Sequence, residues 1–77
     1  MQRLEHIVLK TWRRAEQLSL SGREIEVCVL LAAGRSRAEI ADRLGVSHNT
    51  AINHCRSLYA KLDVHSRVEL VQKLRLL

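Results

Sequence analysis

Residues 36–56 read SRAEIADRLGVSHNTAINHCR. Two helix-start signals stand eleven positions apart here, with a glycine between them. Ser36-Arg-Ala-Glu39 has the S-x-x-E spacing of a capping box, in which the serine oxygen accepts the N3 amide and the glutamate reaches back to the N-cap amide. Ser47-His-Asn-Thr50 keeps the spacing with threonine in the last place. Gly45 stands where a helix must end, as a residue free to take a positive φ. The pattern predicts helices over 37–44 and 48–62, joined only by Leu44-Gly45-Val46-Ser47. Two helices linked by a short glycine-containing turn form a helix-turn-helix. Ala41 is small enough to let the pair approach closely, and Val46 can plug the core beneath the turn.

The same punctuation extends outward. Ser21-Gly-Arg-Glu24 and Ser66-Arg-Val-Glu69 are further S-x-x-E starts, and Gly34 is a further stop. They predict helices over 22–33 and 66–76. Ahead of them, Leu4, Ile7, Val8, Thr11, Ala15 and Leu18 fall on one stripe at helical period within 3–18, bordered by Trp12. This segment reads as an amphipathic helix that either packs on the domain or connects it to a part outside the chain. The expected architecture is all-α: a small four-helix bundle containing a helix-turn-helix, with an extra N-terminal amphipathic helix. The division is 1–19 for that linker-like helix and 20–77 for the domain.

Composition agrees with this class. Of 77 residues, 47% are hydrophobic, yet there is no Phe, one Trp and one Tyr, so the core must be aliphatic. The absence of Pro and the presence of only three Gly disfavour a β-rich domain, which needs frequent turn residues. A net charge of +5 and a pI near 10.0 point to an anionic partner, nucleic acid before an acidic membrane. Two cysteines are too few for a secreted disulfide scaffold, which favours a reducing, cytoplasmic location. No apolar run approaches the roughly 18 residues of a membrane span. Glu5, Lys10, Arg13 and Arg14 interrupt anything resembling a signal peptide.

The faces of helix 48–62 separate the chemistry. With about 100° per residue, Ala51, Cys55, Leu58 and Leu62 share the apolar side. Asn49, Ile52, Asn53, Arg56 and Ala60 lie opposite. In a helix-turn-helix, the exposed N-terminal part of the second helix enters the DNA major groove. Asn can pair with adenine N6/N7 and Arg can fork onto guanine O6/N7. Arg35, Arg37, Lys61 and Arg67 flank this face as phosphate-contact candidates, and the helix N-terminus itself favours phosphate.

His48, His54 and Cys55 invite a metal or catalytic reading. A zinc site needs about four ligands converging at roughly 2.0–2.3 Å. His48 and His54 are separated by about 120° around the helix and about 9 Å along it, and adjacent helical residues such as His54 and Cys55 do not face one another. Cys55 belongs to the apolar face, and Cys28 sits among Val27, Val29, Leu30 and Leu31; both read as small core hydrophobes. No enzyme activity, metal or cofactor is expected.

Taken together, the stretches LSGREIEVCVLLAAGRSRAEIADRLGVS, the Thr50 and Asn53-His54 positions, and LYAKLDVHSRVELV resemble the LuxR-type helix-turn-helix domain of bacterial transcription regulators. The resemblance spans about Leu20 to Leu74. It implies a four-helix fold, a third helix that reads double-stranded DNA, and a fourth that mediates dimerisation. It places the base-facing positions at Ile52, Asn53 and Arg56, beside the Asn49 of the outward face. Thr50 matches a family threonine whose hydroxyl caps the helix or reaches phosphate, and His54 matches a usual histidine. With Ser47 at the helix start, the expected DNA-backbone set is Arg35, Arg37, Ser47, Thr50, His54, Lys61 and Arg67.

Three positions depart from the family pattern. Thr50-Ala51-Ile52 stands where Thr-Val-Lys is typical, Asp63 replaces a usual Gly, and Gly22 a common Pro. Isoleucine can touch a thymine methyl but removes a charge from the salt-dependent part of affinity. Helix 66–76 carries Val68, Leu70, Val71, Leu74 and Leu76, wider than one stripe; Val68, Val71 and Leu74 are the expected contact between two copies. The expected function is sequence-specific DNA binding as a regulator, or as the output domain of a response regulator, with RNA polymerase as a further partner. The competing reading keeps the fold for protein association, motivated by Ile52. The DNA-binding end of a sigma factor shares the turn but fits the LYAKL tail less well.

Overall fold

The structure, a computed structural model, describes the backbone of residues 4–75 and the side chains of residues 9–75. Among these it forms five helices and no strand: α1 Leu4–Glu16, α2 Gly22–Ala32, α3 Arg37–Leu44, α4 His48–Leu62 and α5 Arg67–Arg75. The bundle is all-α, as the serine and glycine punctuation requires.

Local chemistry explains each boundary. Ser21 and Ser36 form complete capping boxes, with their hydroxyls accepting from Glu24 N and Glu39 N at 3.2 and 3.1 Å. Their own amides donate to the same glutamates at 2.8 and 3.1 Å. The Ser66 box is displaced. Its hydroxyl accepts from Glu69 N, but the Glu69 carboxylate takes the amide of His65, one residue upstream of the expected donor. Helix α5 still starts at Arg67, one residue after its serine as α2 and α3 do, and Leu76, expected in it, lies outside the described residues.

Three helices end in the same way. Gly34, Gly45 and Asp63 take positive φ of 83°, 67° and 56°. Each donates to the carbonyl three residues back, and the next amide donates five back: Gly45 N to Asp42 O and Val46 N to Ala41 O at 3.3 and 3.0 Å, Asp63 N to Ala60 O and Val64 N to Tyr59 O at 3.2 and 3.0 Å. This is the Schellman arrangement, which satisfies carbonyls the helix leaves open. It accounts for the family preference for Gly at position 63, because L-residues are strained in the left-handed region.

The core is aliphatic, with both cysteines inside it. Leu31, Ile40, Leu58 and Leu70 are its largest fully buried side chains, and Ala51, Cys55 and Leu62 complete the predicted inner face of α4. Each fully buried Leu or Ile contributes about 1.5–3 kcal/mol. α2 packs against the other four helices, and α3 packs on α4. The N-terminal helix packs rather than projecting away: α1 lies on α2 and α5, with Ala15 fully buried and Leu18 half-buried. The expected stripe positions Leu4, Ile7 and Val8 lie outside the described side chains.

α5 corrects one expectation. Leu74, assigned to a contact between copies, is only 3% exposed and belongs to the protomer's own core, with Leu70. Val68 is 66% exposed, and Val71 is half-buried. Two long cations fix this rotation. Arg67 Nη1 donates to the Leu31 carbonyl at 2.6 Å and Lys73 Nζ to the Leu62 carbonyl at 2.7 Å, tying α5 to the C-terminal ends of α2 and α4.

Candidate nucleic-acid interface

The turn between α3 and α4 fixes the direction of α4. Gly45 reverses the chain, half-buried Val46 seats it, and Ser47 caps α4. The Ser47 hydroxyl accepts from Thr50 N at 3.1 Å and donates to Thr50 Oγ1 at 2.9 Å. Thr50 thus stands where glutamate stands in α2 and α3, but it takes the Ser47 hydroxyl rather than the Ser47 amide, and no reciprocal capping box closes here. The Thr50 hydroxyl oxygen stays at an exposed helix N-terminus without adding a negative charge there. That matters for phosphate, which favours the positive end of a helix dipole.

Along α4, Asn49, Asn53 and Arg56 are exposed, while Ile52 and His54 are half-buried. Asn49, Ile52, Asn53 and Arg56 share one edge, since positions three and four apart adjoin on a helix. The edge is apolar at Ile52 and polar around it. His48 is exposed at the rim.

The expected backbone-contact cations differ in availability. Arg37 is exposed at the first position of α3, and neither it nor Arg56 has an ion pair with a described carboxylate. Arg35 pairs with Glu39 at 3.3 Å and Lys61 with Glu24 at 2.9 Å. Both pairs are at the surface, where such bridges are worth about 0–1 kcal/mol and can exchange for a phosphate. Arg67 is different: its Nη1 makes a short, partly buried bond to the Leu31 carbonyl, which ties α5 to α2.

Electrostatic perturbations follow these contacts. The Glu24 carboxyl is held below its ordinary range, chiefly by the Ser21 amide and then by Lys61. Glu39 is lowered by the Ser36 amide and hydroxyl, with Arg35 contributing less. Burial pushes the Cys28 thiol up to about 11 and raises Cys55 as well, the latter opposed by Arg37 and Arg67. The Tyr59 phenol is raised by burial and opposed by the same two arginines. Arg37 and Arg67 thus act electrostatically on both Cys55 and half-buried Tyr59. Sequence reasoning gave Tyr59 no role; the aromatic in the LYAKL stretch was the available signal. Among the described residues, no three His, Cys, Asp or Glu side chains converge on a metal-sized site. No helix among them is long and apolar enough to cross a membrane.

Comparison with known proteins fits this geometry. Residues 18–74 match the family described as "Bacterial regulatory proteins, luxR family". The Fimbriae Z protein of Escherichia coli (strain K12) is 42% identical over 57 residues, which cover 74% of this chain and 27% of that protein. The Uncharacterized response regulatory protein YgeK of the same organism is 38% identical over 60 residues, covering 78% of this chain and 41% of that protein. The Putative HTH-type transcriptional regulator YhjB, also of Escherichia coli (strain K12), is 40% identical over 58 residues, covering 75% and 29% respectively. The chain therefore spans less than half the length of these curated relatives. No solved structure gives a significant match.

Proposed function

The chain belongs to the luxR family of bacterial regulatory proteins, a family of DNA-binding transcription regulation, and from that premise we propose that it reads double-stranded DNA sequence-specifically by seating α4 in the major groove. One observation carries the reading: an exposed edge of Asn49, Asn53 and Arg56, surrounding Ile52, on the second helix of a capped helix-turn-helix. Arg56 forks onto a guanine, Asn49 and Asn53 address base edges, and Ile52 lies against a thymine methyl. Arg37, Thr50, His54 and the α4 N-terminus face the sugar-phosphate backbone, joined by Arg35 and Lys61 once they exchange their carboxylates. Ser47 supports the backbone contact through its cap.

Two copies pair through α5, with exposed Val68 at the centre and Val71 beside it. Such two-fold pairing presents two reading helices to successive major-groove turns. In the cytoplasm the chain acts as the output part of a regulator, a response regulator among the possibilities its relatives' names raise, and RNA polymerase is a further partner. The protein-association reading rests on the apolar Ile52 at the centre of the edge.

Selection of bound duplexes from a random pool, followed by titration of the winner, tests this. The expected outcome is a two-fold symmetric site, with Arg56→Ala costing about 1–3 kcal/mol and relaxing preference at one position per half-site. Failure to enrich any duplex at low salt, where electrostatic attraction is strongest, would favour protein association instead.

A further inference from the structure

Between α1 and α5, beside the C-terminal end of α2, lies a groove of about 470 Å³. Lys10, Arg14 and Arg75 stand around it, and Ala32, Val71 and Leu74 supply its apolar lining. None of the three cations is in ion-pair range of a described carboxylate. Among the described residues, three like charges are thus gathered around one small apolar concavity, an arrangement that favours an anion. The volume lies within the roughly 300–1,000 Å³ of small-molecule sites.

We propose that this groove binds a small organic phosphate with a short apolar body. The guanidinium groups of Arg14 and Arg75 offer forked donors suited to a phosphate, with Lys10 adding a third charge. Ala32, Val71 and Leu74 receive the apolar part, Val71 being shared with the edge of the proposed α5 pairing. The groove is not an extension of the reading edge: it is walled by α1, α2 and α5, whereas the edge belongs to α4.

The test is an amide NMR titration of the full chain at fixed ionic strength with hexyl phosphate, inorganic phosphate and hexylammonium. Hexyl phosphate is expected to give saturable shifts at Lys10, Arg14, Val71, Leu74 and Arg75. Inorganic phosphate should bind the same residues about tenfold more weakly, and hexylammonium should leave them unmoved. Arg75→Gln, at an exposed position, should weaken hexyl phosphate about tenfold with the spectrum otherwise unchanged; Lys10→Gln serves as the second variant. Equal binding by parent and both variants overturns the site, as do shifts scattered over surface cations such as Arg37 and Arg56. Displacement of hexyl phosphate from the groove by a DNA duplex at matched phosphate concentration overturns the small-molecule assignment and makes the groove a DNA-backbone contact.

Discussion

Replacing Ile52 by lysine gives position 52 the charge that the LuxR-type pattern implies there, and its consequence can be worked out from the edge of α4. Ile52 is half-buried between exposed Asn49, Asn53 and Arg56. A lysine stem can lie along the same apolar surface while its ammonium reaches solvent. The new charge sits one turn from Arg56, a like-charge i,i+4 pair that costs about 0.2–0.5 kcal/mol. In the proposed docking, the ammonium reaches one additional phosphate and releases its counterion, which steepens the slope of log K against log salt by about 0.9. Between about 300 and about 50 mM salt, Ile52→Lys should therefore gain about fivefold in affinity relative to the parent. Fluorescence anisotropy on one labelled duplex across that range measures both slopes, with a thermal melt of each protein as control. Parallel salt dependences in two equally folded proteins would show that an ammonium at position 52 reaches no phosphate, and would refute the proposed seating of this edge in the groove.

The left-handed Asp63 is strained, so Asp63→Gly should stabilise the fold by about 0.5–1 kcal/mol after the extra chain entropy of glycine is subtracted, raising Tm by a few degrees; a lower Tm would contradict the cap assignment. Glu24 and Glu39 are both lowered from the ordinary 4.5, so their caps stabilise the protein fully above that value and are lost as pH falls through the lower folded values. Chemical denaturation as a function of pH should show that acid limb, flattened in Glu24→Gln and Glu39→Gln. With its thiol pushed up to about 11 inside the core, Cys28 should react with a thiol reagent at neutral pH only as fast as the protein opens; rapid labelling of the native chain would show the site to be accessible.

The fold was legible where its causes are local. A serine and a glutamate three apart determine a helix start through hydrogen bonds within one turn, and Gly45 determines a stop through its own φ. The inner face of α4 was equally readable, since Ala51, Cys55, Leu58 and Leu62 share a face of any helix, and all four are buried. Rotation of α5 was not readable. Val68, Leu70, Val71 and Leu74 wrap too far around the helix for periodicity to choose a core side. The choice is made by Arg67 and Lys73 reaching carbonyls 36 and 11 residues away. The tie of Arg67 was hidden for the same reason: in sequence a cation beyond the third helix looks only like a phosphate contact, and the folded chain reveals the Leu31 carbonyl beside it. On the candidate interface, exposure of Asn49, Asn53 and Arg56 followed from helical spacing, while the ties of Lys61 and Arg35 depend on which carboxylates the packing brings near.

These ties change what the basic composition means for binding. A net charge of +5 describes the chain, whereas a duplex meets only the cations that face it. Arg67 and Lys73 hold α5 through main-chain carbonyls, Arg35 and Lys61 share their charge with capping glutamates, and Lys10, Arg14 and Arg75 gather around a groove on another side. The α3–α4 unit is left with Arg37, Arg43, Arg56 and the N-terminus of α4 as its positive features without an ion pair to a described carboxylate. So small a set supports only a shallow non-specific affinity, because non-specific binding comes almost entirely from phosphate contacts. Discrimination in the proposed complex must therefore come from base contacts along α4 and from the pairing of two such edges. That in turn explains why Val68, an apolar side chain left two-thirds exposed beside a well-filled core, matters as much to the proposed function as any arginine: without a second copy, one reading edge with so few cations has little to hold it on the duplex.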